Sequence, residues 1–143
     1  MEKKTLILDA SVIIKWYIQE KDSDIALNIR DSLIKKETDI VVPGLIYYEI
    51  ANALRYAKGA ARQDIEKAIG NIFLAALKTE CVDERLLKDA LALAIKYDTT
   101  IYDSVYLALA ERHDTIYVTA DAEFCKKVGG EHVVLLSEFA SKR

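Results

Sequence analysis

Four short apolar runs, set apart by segments of helical periodicity, restrict what this chain can fold into more than any other feature. They are Thr5-Leu6-Ile7-Leu8, Ile40-Val41-Val42, Ile116-Tyr117-Val118 and His132-Val133-Val134-Leu135. Each is too short for a helix, and none alternates apolar with polar residues as a strand with one wet face does. A continuous run rich in β-branched residues marks a strand covered on both sides. Such strands, alternating with helices, predict an α/β fold with a mostly parallel central sheet and helices on both faces. A brief additional strand is expected at residues 80–82.

The intervening segments carry the helices. Residues 11–17 read as a short helix, and Asp22, Ser23 or Asp24 is placed to cap the next, whose stripe is Ile25, Ile29 and Leu33. Two helices, at 44–58 and 63–77, meet around Lys58-Gly59 and form a helical hairpin; the second places Ile65, Ala68, Ile69, Ile72, Phe73 and Ala76 at helical spacing. Asp83 is positioned to cap a helix striped by Leu86, Leu87, Ala90, Leu91, Ala94 and Ile95. The segment 102–111 is apolar nearly all round, which predicts a central, enclosed helix. A short helix at 123–127 precedes the last strand. With one proline, no repeat and no polar linker, residues 1–143 read as one domain.

Charge limits the functions available. The net charge is −3, so no global positive field draws nucleic acid to the surface. A nucleic-acid role must rest on a local basic patch, on bound cations, or on both. The apolar run near the N-terminus is too short for a signal peptide, and no stretch approaches the ~20 apolar residues that span a bilayer. Cys81 and Cys125 form no metal-like or redox-like motif and read as small apolar side chains in a reducing compartment. A cytoplasmic protein is the expectation.

Most of the 23 acidic residues fall where helix caps or wet faces accommodate them. Four do not. Asp9 follows Leu6-Ile7-Leu8 at the carboxyl end of a strand, and Asp121 stands in the same relation to Ile116-Tyr117-Val118. Ligands of open α/β sheets gather in the crevice at that end of the strands. Glu49 shares a helix face with Leu45 and Ala53, four residues to either side, and Asp103 is the only residue from 102 to 110 that is charged at neutral pH. Each has a plain structural alternative: Asp9 and Asp121 as caps, Asp103 as a first-turn acid facing the helix dipole, Glu49 as one half of an ion pair across the hairpin. Gathered together, four carboxylates would repel one another, and divalent Mg²⁺ or Mn²⁺ with its preference for oxygen ligands would neutralise them.

The segments Leu8-Asp9-Ala10-Ser11-Val12, Tyr48-Glu49-Ile50-Ala51-Asn52-Ala53-Leu54, Tyr102-Asp103-Ser104-Val105-Tyr106-Leu107-Ala108-Leu109-Ala110 and Val118-Thr119-Ala120-Asp121-Ala122-Glu123-Phe124 together resemble a PIN domain of the small VapC-like toxin type. That resemblance implies a three-layer α/β/α sandwich and metal-dependent cleavage of RNA at an acidic cluster. It also implies that Asp9, Glu49, Asp103 and Asp121 hold Mg²⁺ or Mn²⁺, with Ser11 and Thr119 as supporting hydrogen-bond partners. The expected division has Asp9, Asp103 and Asp121 at a principal ion, with Glu49 at a second ion or orienting water. A homodimer and a small antitoxin partner are implied too. Glu123 stands where some members carry a further acid, and is otherwise a wet residue of a first helical turn.

Lys15, Arg55, Lys58 and Arg62 are candidate phosphate contacts, the last three at the hairpin tip; the alternative is ordinary solubilising charge. Trp16, Tyr47, Tyr48 and Tyr56 either stack on bases or fill the core or an interface. Isolated His113 and His132 receive no role. Two rival functions are a PIN-like binding module without activity, which would be marked by a missing acid, and a phosphatase with Asp9 as nucleophile, which would call for an acid where Ser11 stands.

Overall fold

The computed structural model describes residues 3–139; Met1, Glu2 and residues 140–143 of the expected 1–143 domain lie outside the described residues. Five strands form one sheet: β1 Lys4–Leu8, β2 Thr38–Pro43, β3 Lys78–Glu80, β4 Ile116–Thr119 and β5 Val133–Leu135. All neighbours run parallel, in the order β3-β2-β1-β4-β5. The prediction of a buried parallel sheet holds at its centre, where Leu6, Ile7, Leu8, Ile40, Val41, Val42, Tyr117 and Val118 are all buried.

The helices are α1 Ala10–Ile13, continued by a 3-10 turn at Ile14–Trp16, then α2 Ser23–Ile34, α3 Leu45–Arg55 and α4 Arg62–Leu74. They are followed by α5 Glu84–Tyr97, α6 Ile101–Arg112, α7 Ala122–Val128 and α8 Leu136–Phe139. No helix of the described residues is long and apolar enough to cross a membrane. The central helix expected at 102–111 is α6: every residue from Ser104 to Ala110 is buried, and it packs across β1, β2 and β4. Helices α3 and α4 form the hairpin, turning at Gly59, whose φ of +75° suits a residue without a Cβ.

Three local expectations are corrected. The edge strand begins at Lys78, not at residue 80, because Ala76 takes a left-handed conformation (φ +62°) that ends the α4 region and restarts the chain as a strand. Val82 consequently lies beyond the sheet, and Cys81, expected as a small apolar side chain, is exposed. The long stripe on α5 divides: Leu86, Ala90 and Ala94 are buried against the fold, whereas Leu87, Leu91 and Ile95 face outward. Periodicity registers that a face is apolar, not what covers it.

Asp83 caps α5 as expected, its Oδ1 accepting from the Leu86 N–H at 2.7 Å. Trp16 is a core residue, its indole donating to the Ala26 carbonyl at 2.9 Å. Tyr47 stacks on Phe73 at 4.6 Å within the hairpin, while Tyr48 and Tyr56 stay exposed. His113 bonds Glu80, and His132 the Thr115 carbonyl.

Candidate active site

The strand order reverses direction between β1 and β4: from β1 the chain builds outward to β2 and β3, then returns to lay β4 and β5 on the other side. At such a switch point the two connecting segments leave in opposite senses and open a crevice at the carboxyl ends of the strands. Asp9 is the residue after β1, and Asp121 lies two beyond the end of β4, whose Val118 is in register with Leu8. Asp103 lies in the first turn of α6. Glu49 lies mid-way along α3, the helix that follows β2. The four acids thus arrive from four separate elements.

Electrostatic influence links them in pairs, Asp9 and Asp103 acting on Glu49, and Asp121 and Asp9 acting on Asp103. Burial pushes the Glu49 carboxyl pKa upward, the Tyr106 hydrogen bond opposes it, and the charges of Asp9 and Asp103 add to the rise. Asp103 is raised by burial, then by Asp121, with a further contribution from Asp9. Asp9 is itself raised, burial outweighing the hydroxyls that bond it. Among the described residues none of the four forms an ion pair; the lysines and arginines in ion pairs are matched to other acids. Nor are any three His, Cys, Asp or Glu side chains of the described residues already drawn into a ligating cluster.

Asp9 is held chiefly by hydroxyls. Its Oδ1 accepts from Ser11 Oγ at 2.5 Å, and its Oδ2 from Thr119 Oγ1 at 2.6 Å and from the Tyr117 hydroxyl. Ser11 in turn accepts from the Ala120 N–H at 3.0 Å, and Thr119 from the Asp121 N–H at 3.2 Å. The two supporting residues therefore tie the β1 and β4 termini together around one carboxylate. Glu49 Oε1 accepts from the Tyr106 hydroxyl, so the ion pair considered for it is not formed. Asp121 does act as a cap, its Oδ1 accepting from the Phe124 N–H at 3.0 Å, which leaves Oδ2 uncommitted. At Asp103 the capping is done by Thr100, whose Oγ1 accepts from the Asp103 N–H at 3.1 Å.

Asp103 and Asp121 line a cleft of about 450 Å³ with Asp98, Thr99, Thr100, Glu123, Phe124 and Lys127. A family model described as PIN domain matches residues 6–129. The chain belongs to the PIN domain family. It is 34% identical to "Ribonuclease VapC3" of Pyrobaculum aerophilum over 127 residues, covering 85% of this chain and 93% of that one. Among solved structures, PAE2754 from Pyrobaculum aerophilum superimposes with a TM-score of 0.70 at 20% identity, covering 97% of this chain and 88% of that one. VapBC2 from Rickettsia felis, bound to a DNA fragment from its promoter, gives a TM-score of 0.68 at 14% identity, covering 92% and 98%. The PIN fold thus accounts for the parallel sheet and its order.

Within this PIN domain the candidate phosphate contacts are unevenly placed. Lys15 is 10% exposed and paired with Glu20 at 3.3 Å, and Arg62 is committed to Glu66 at 2.7 Å. Arg55 lies over the Tyr56 ring at 5.0 Å, and Lys58 is exposed at the tip. The basic residue that lines the acidic cleft is Lys127, whose Nζ donates to the Asp98 carbonyl at 2.9 Å. Sequence reading passed over it because it is one of two adjacent lysines at a helix end, where cations are expected for the dipole alone. Tyr106 and Tyr117 were passed over for a similar reason: each sits in an apolar run and reads as core.

Proposed function

We propose that this PIN domain is a metal-dependent endoribonuclease that hydrolyses RNA phosphodiester bonds, and that it serves as the toxin of a toxin–antitoxin pair. The observation that carries this reading is the electrostatic one: Asp9, Glu49 and Asp103 are raised in pKa by burial, Glu49 and Asp103 further by neighbouring acids, and none of the four acids is ion-paired among the described residues. The similarity to a protein named ribonuclease supports the reaction, and the fold shared with a VapBC complex supports a small antitoxin partner. A homodimer and a cytoplasmic location belong to the same reading.

The donor set fits Mg²⁺ or Mn²⁺: all four groups are carboxylates, the hard oxygen ligands such ions take, and their uncompensated charge is what a divalent ion cancels. Asp9, Asp103, Asp121 and Glu49 would hold it. When bound, the ion supplies a Lewis acid for the phosphate and a means of activating water near neutral pH.

The chain's own residues do the rest. Ser11 and Thr119 lock Asp9 in one orientation and keep it ionisable although buried, because hydroxyl donors favour the charged form. Thr100 fixes the first turn of α6, and with it the backbone that carries Asp103. Lys127, at the rim of the cleft, contacts the phosphate next to the scissile bond. Arg55, Lys58 and Arg62 reach more distant phosphates.

The test is cleavage of RNA by the purified protein with Mn²⁺ or Mg²⁺ and with EDTA, alongside Asp9→Asn to expose contaminating nuclease. Cleavage dependent on both the ion and Asp9, leaving 5′-phosphate and 3′-hydroxyl ends, is expected. A 2′,3′-cyclic phosphate product would mean attack by the ribose hydroxyl and would overturn the mechanism.

A further inference from the structure

Tyr106 and Tyr117 are both 1% exposed, and each spends its hydroxyl on a site carboxylate: Tyr106 on Glu49 Oε1, Tyr117 on Asp9 Oδ2. Their rings stack on each other at 5.4 Å with an interplanar angle of 18°. Tyr117 also meets the edge of Phe124 at 5.7 Å, and Phe124 is the residue whose N–H bonds Asp121. Tyr106 lies one turn beyond Asp103 on α6, on the same helix face. One aromatic column therefore connects, by a hydrogen bond or by the shortest stretch of backbone, to all four acids.

A core tyrosine needs only some acceptor for its hydroxyl, and a backbone carbonyl is the usual one. Two adjacent tyrosines that both choose a site carboxylate make a different arrangement. It is also an asymmetric one. Asp9 Oδ2 carries two donors, Tyr117 and Thr119, while Oδ1 carries only Ser11. Glu49 Oε1 carries Tyr106, while Oε2 accepts no hydrogen bond from the described residues. Glu49 thus has one oxygen anchored and one open, whereas both oxygens of Asp9 are bonded, Oδ2 by two of the hydroxyls.

We infer that Tyr106 and Tyr117 are positioning residues for the ribonuclease site: through their stacked rings they set the spacing of Glu49 and Asp9, and through their hydroxyls each fixes one oxygen of its acid, Tyr106 leaving Glu49 Oε2 open to a cation. This rests on the proposed function for the cation and the reaction, but not for the positioning itself. The outer partners of ligand side chains are worth about 10–100-fold in metal affinity or activity. One neutral hydroxyl among several belongs at the lower end, about tenfold.

The experiment uses Tyr106→Phe and Tyr117→Phe, which keep the rings and their stack and remove only the hydroxyls, with Tyr47→Phe as a control outside the site. In the metal-free protein, side-chain NMR couplings report whether Glu49 holds one rotamer: one in the wild type, an average of several in Tyr106→Phe. With Mn²⁺, calorimetry is expected to show affinity reduced about tenfold in both variants, and RNA cleavage a lower kcat at unchanged KM. Tyr47→Phe matches the wild type in all three. A single Glu49 rotamer in Tyr106→Phe, or Mn²⁺ affinity within twofold of wild type in both variants, overturns the inference. Should the wild type neither bind Mn²⁺ nor cut RNA, the ribonuclease reading fails, and the rotamer measurement still decides the positioning role. Should Tyr117→Phe lose its cooperative melt, Tyr106→Phe decides alone.

Discussion

Replacing Asp9 by asparagine is expected to abolish activity and yet leave the metal-free protein about as stable as the wild type or slightly more so. The carboxylate is buried, its neighbours are hydroxyls and other acids, and no cation of the described residues offsets it. Asparagine keeps the shape and one acceptor oxygen but presents an NH₂ to donors that previously met a second oxygen. Ser11 Oγ lies 3.4 Å from Thr119 Oγ1, so this hydroxyl can turn toward Thr119 and accept from the amide. The cost is then about one hydrogen bond, roughly 1 kcal/mol. Removing a strained functional group commonly gains about 0.5–2 kcal/mol. The net lies between about −0.5 and +1 kcal/mol, or from about −2 to +4 °C in Tm for a chain of this length.

The pH dependence has a definite sign. Burial raises the Asp9 pKa above its ordinary 3.8, so in the interval between 3.8 and the raised value the folded protein keeps a proton that the unfolded chain has released. Wild-type stability from this group is therefore present in acid and lost as pH climbs through the folded pKa. The advantage of Asp9→Asn grows over the same interval and is constant above it. A cation reverses the ranking. At a hundred times its Kd, Mn²⁺ adds about 2.7 kcal/mol to the wild type, roughly 10 °C, and far less to Asp9→Asn. Thermal melts of both proteins across pH, with and without Mn²⁺, measure all of this. A metal-free Asp9→Asn that melts well below the wild type at neutral pH, or that keeps the full Mn²⁺ increment, would refute the reasoning.

Three further outcomes are expected. Lys127→Ala raises KM for RNA about fivefold with kcat unchanged, the loss of one charged phosphate contact near 1 kcal/mol; a KM equal to wild type removes Lys127 from the RNA path. Changing Arg55, Lys58 and Arg62 together to Ala flattens the log–log salt dependence of RNA binding by up to about 2 units, and an unchanged slope would show the hairpin tip lies clear of RNA. Asp83, lowered to about 2 first by its bonds to Arg112 and then by the Leu86 N–H, contributes stability that is complete above 3.8 and lost as pH falls toward about 2. The Tm gap between wild type and Asp83→Ala therefore narrows as acid is added, and a gap independent of pH would argue that capping alone matters.

The sheet was legible because its central strands are buried on both faces, and nothing but an apolar run satisfies that requirement. Its edge was not: β3 is three polar residues paired only to β2, and its position depends on a left-handed turn at Ala76, a residue that carries no sequence signal for one. The four acids stood out because each interrupts an apolar context. The groups that hold them did not, since Tyr106 and Tyr117 look like any other large core residues until their hydroxyls are seen on carboxylates. Lys15 shows how little sequence says of a side chain's accessibility. A lysine near Asp9 in sequence invites a phosphate role, but its side chain is nearly enclosed and paired with Glu20.

The acidic site and the net charge of −3 then describe one physical compromise. A polyanion approaching this surface meets overall repulsion, so encounter depends on a few local cations rather than on a broad field. At the cleft itself the protein's cation is Lys127, facing Asp98, Asp103, Asp121 and Glu123. One ammonium cannot neutralise that many carboxylates and a phosphate as well. The balance would come from outside the chain, and the divalent ion of the proposed function would supply it in a single binding event. On the proposed reading, the feature that makes the metal-free site electrostatically unfavourable is also the one that would make binding of RNA conditional on the ion.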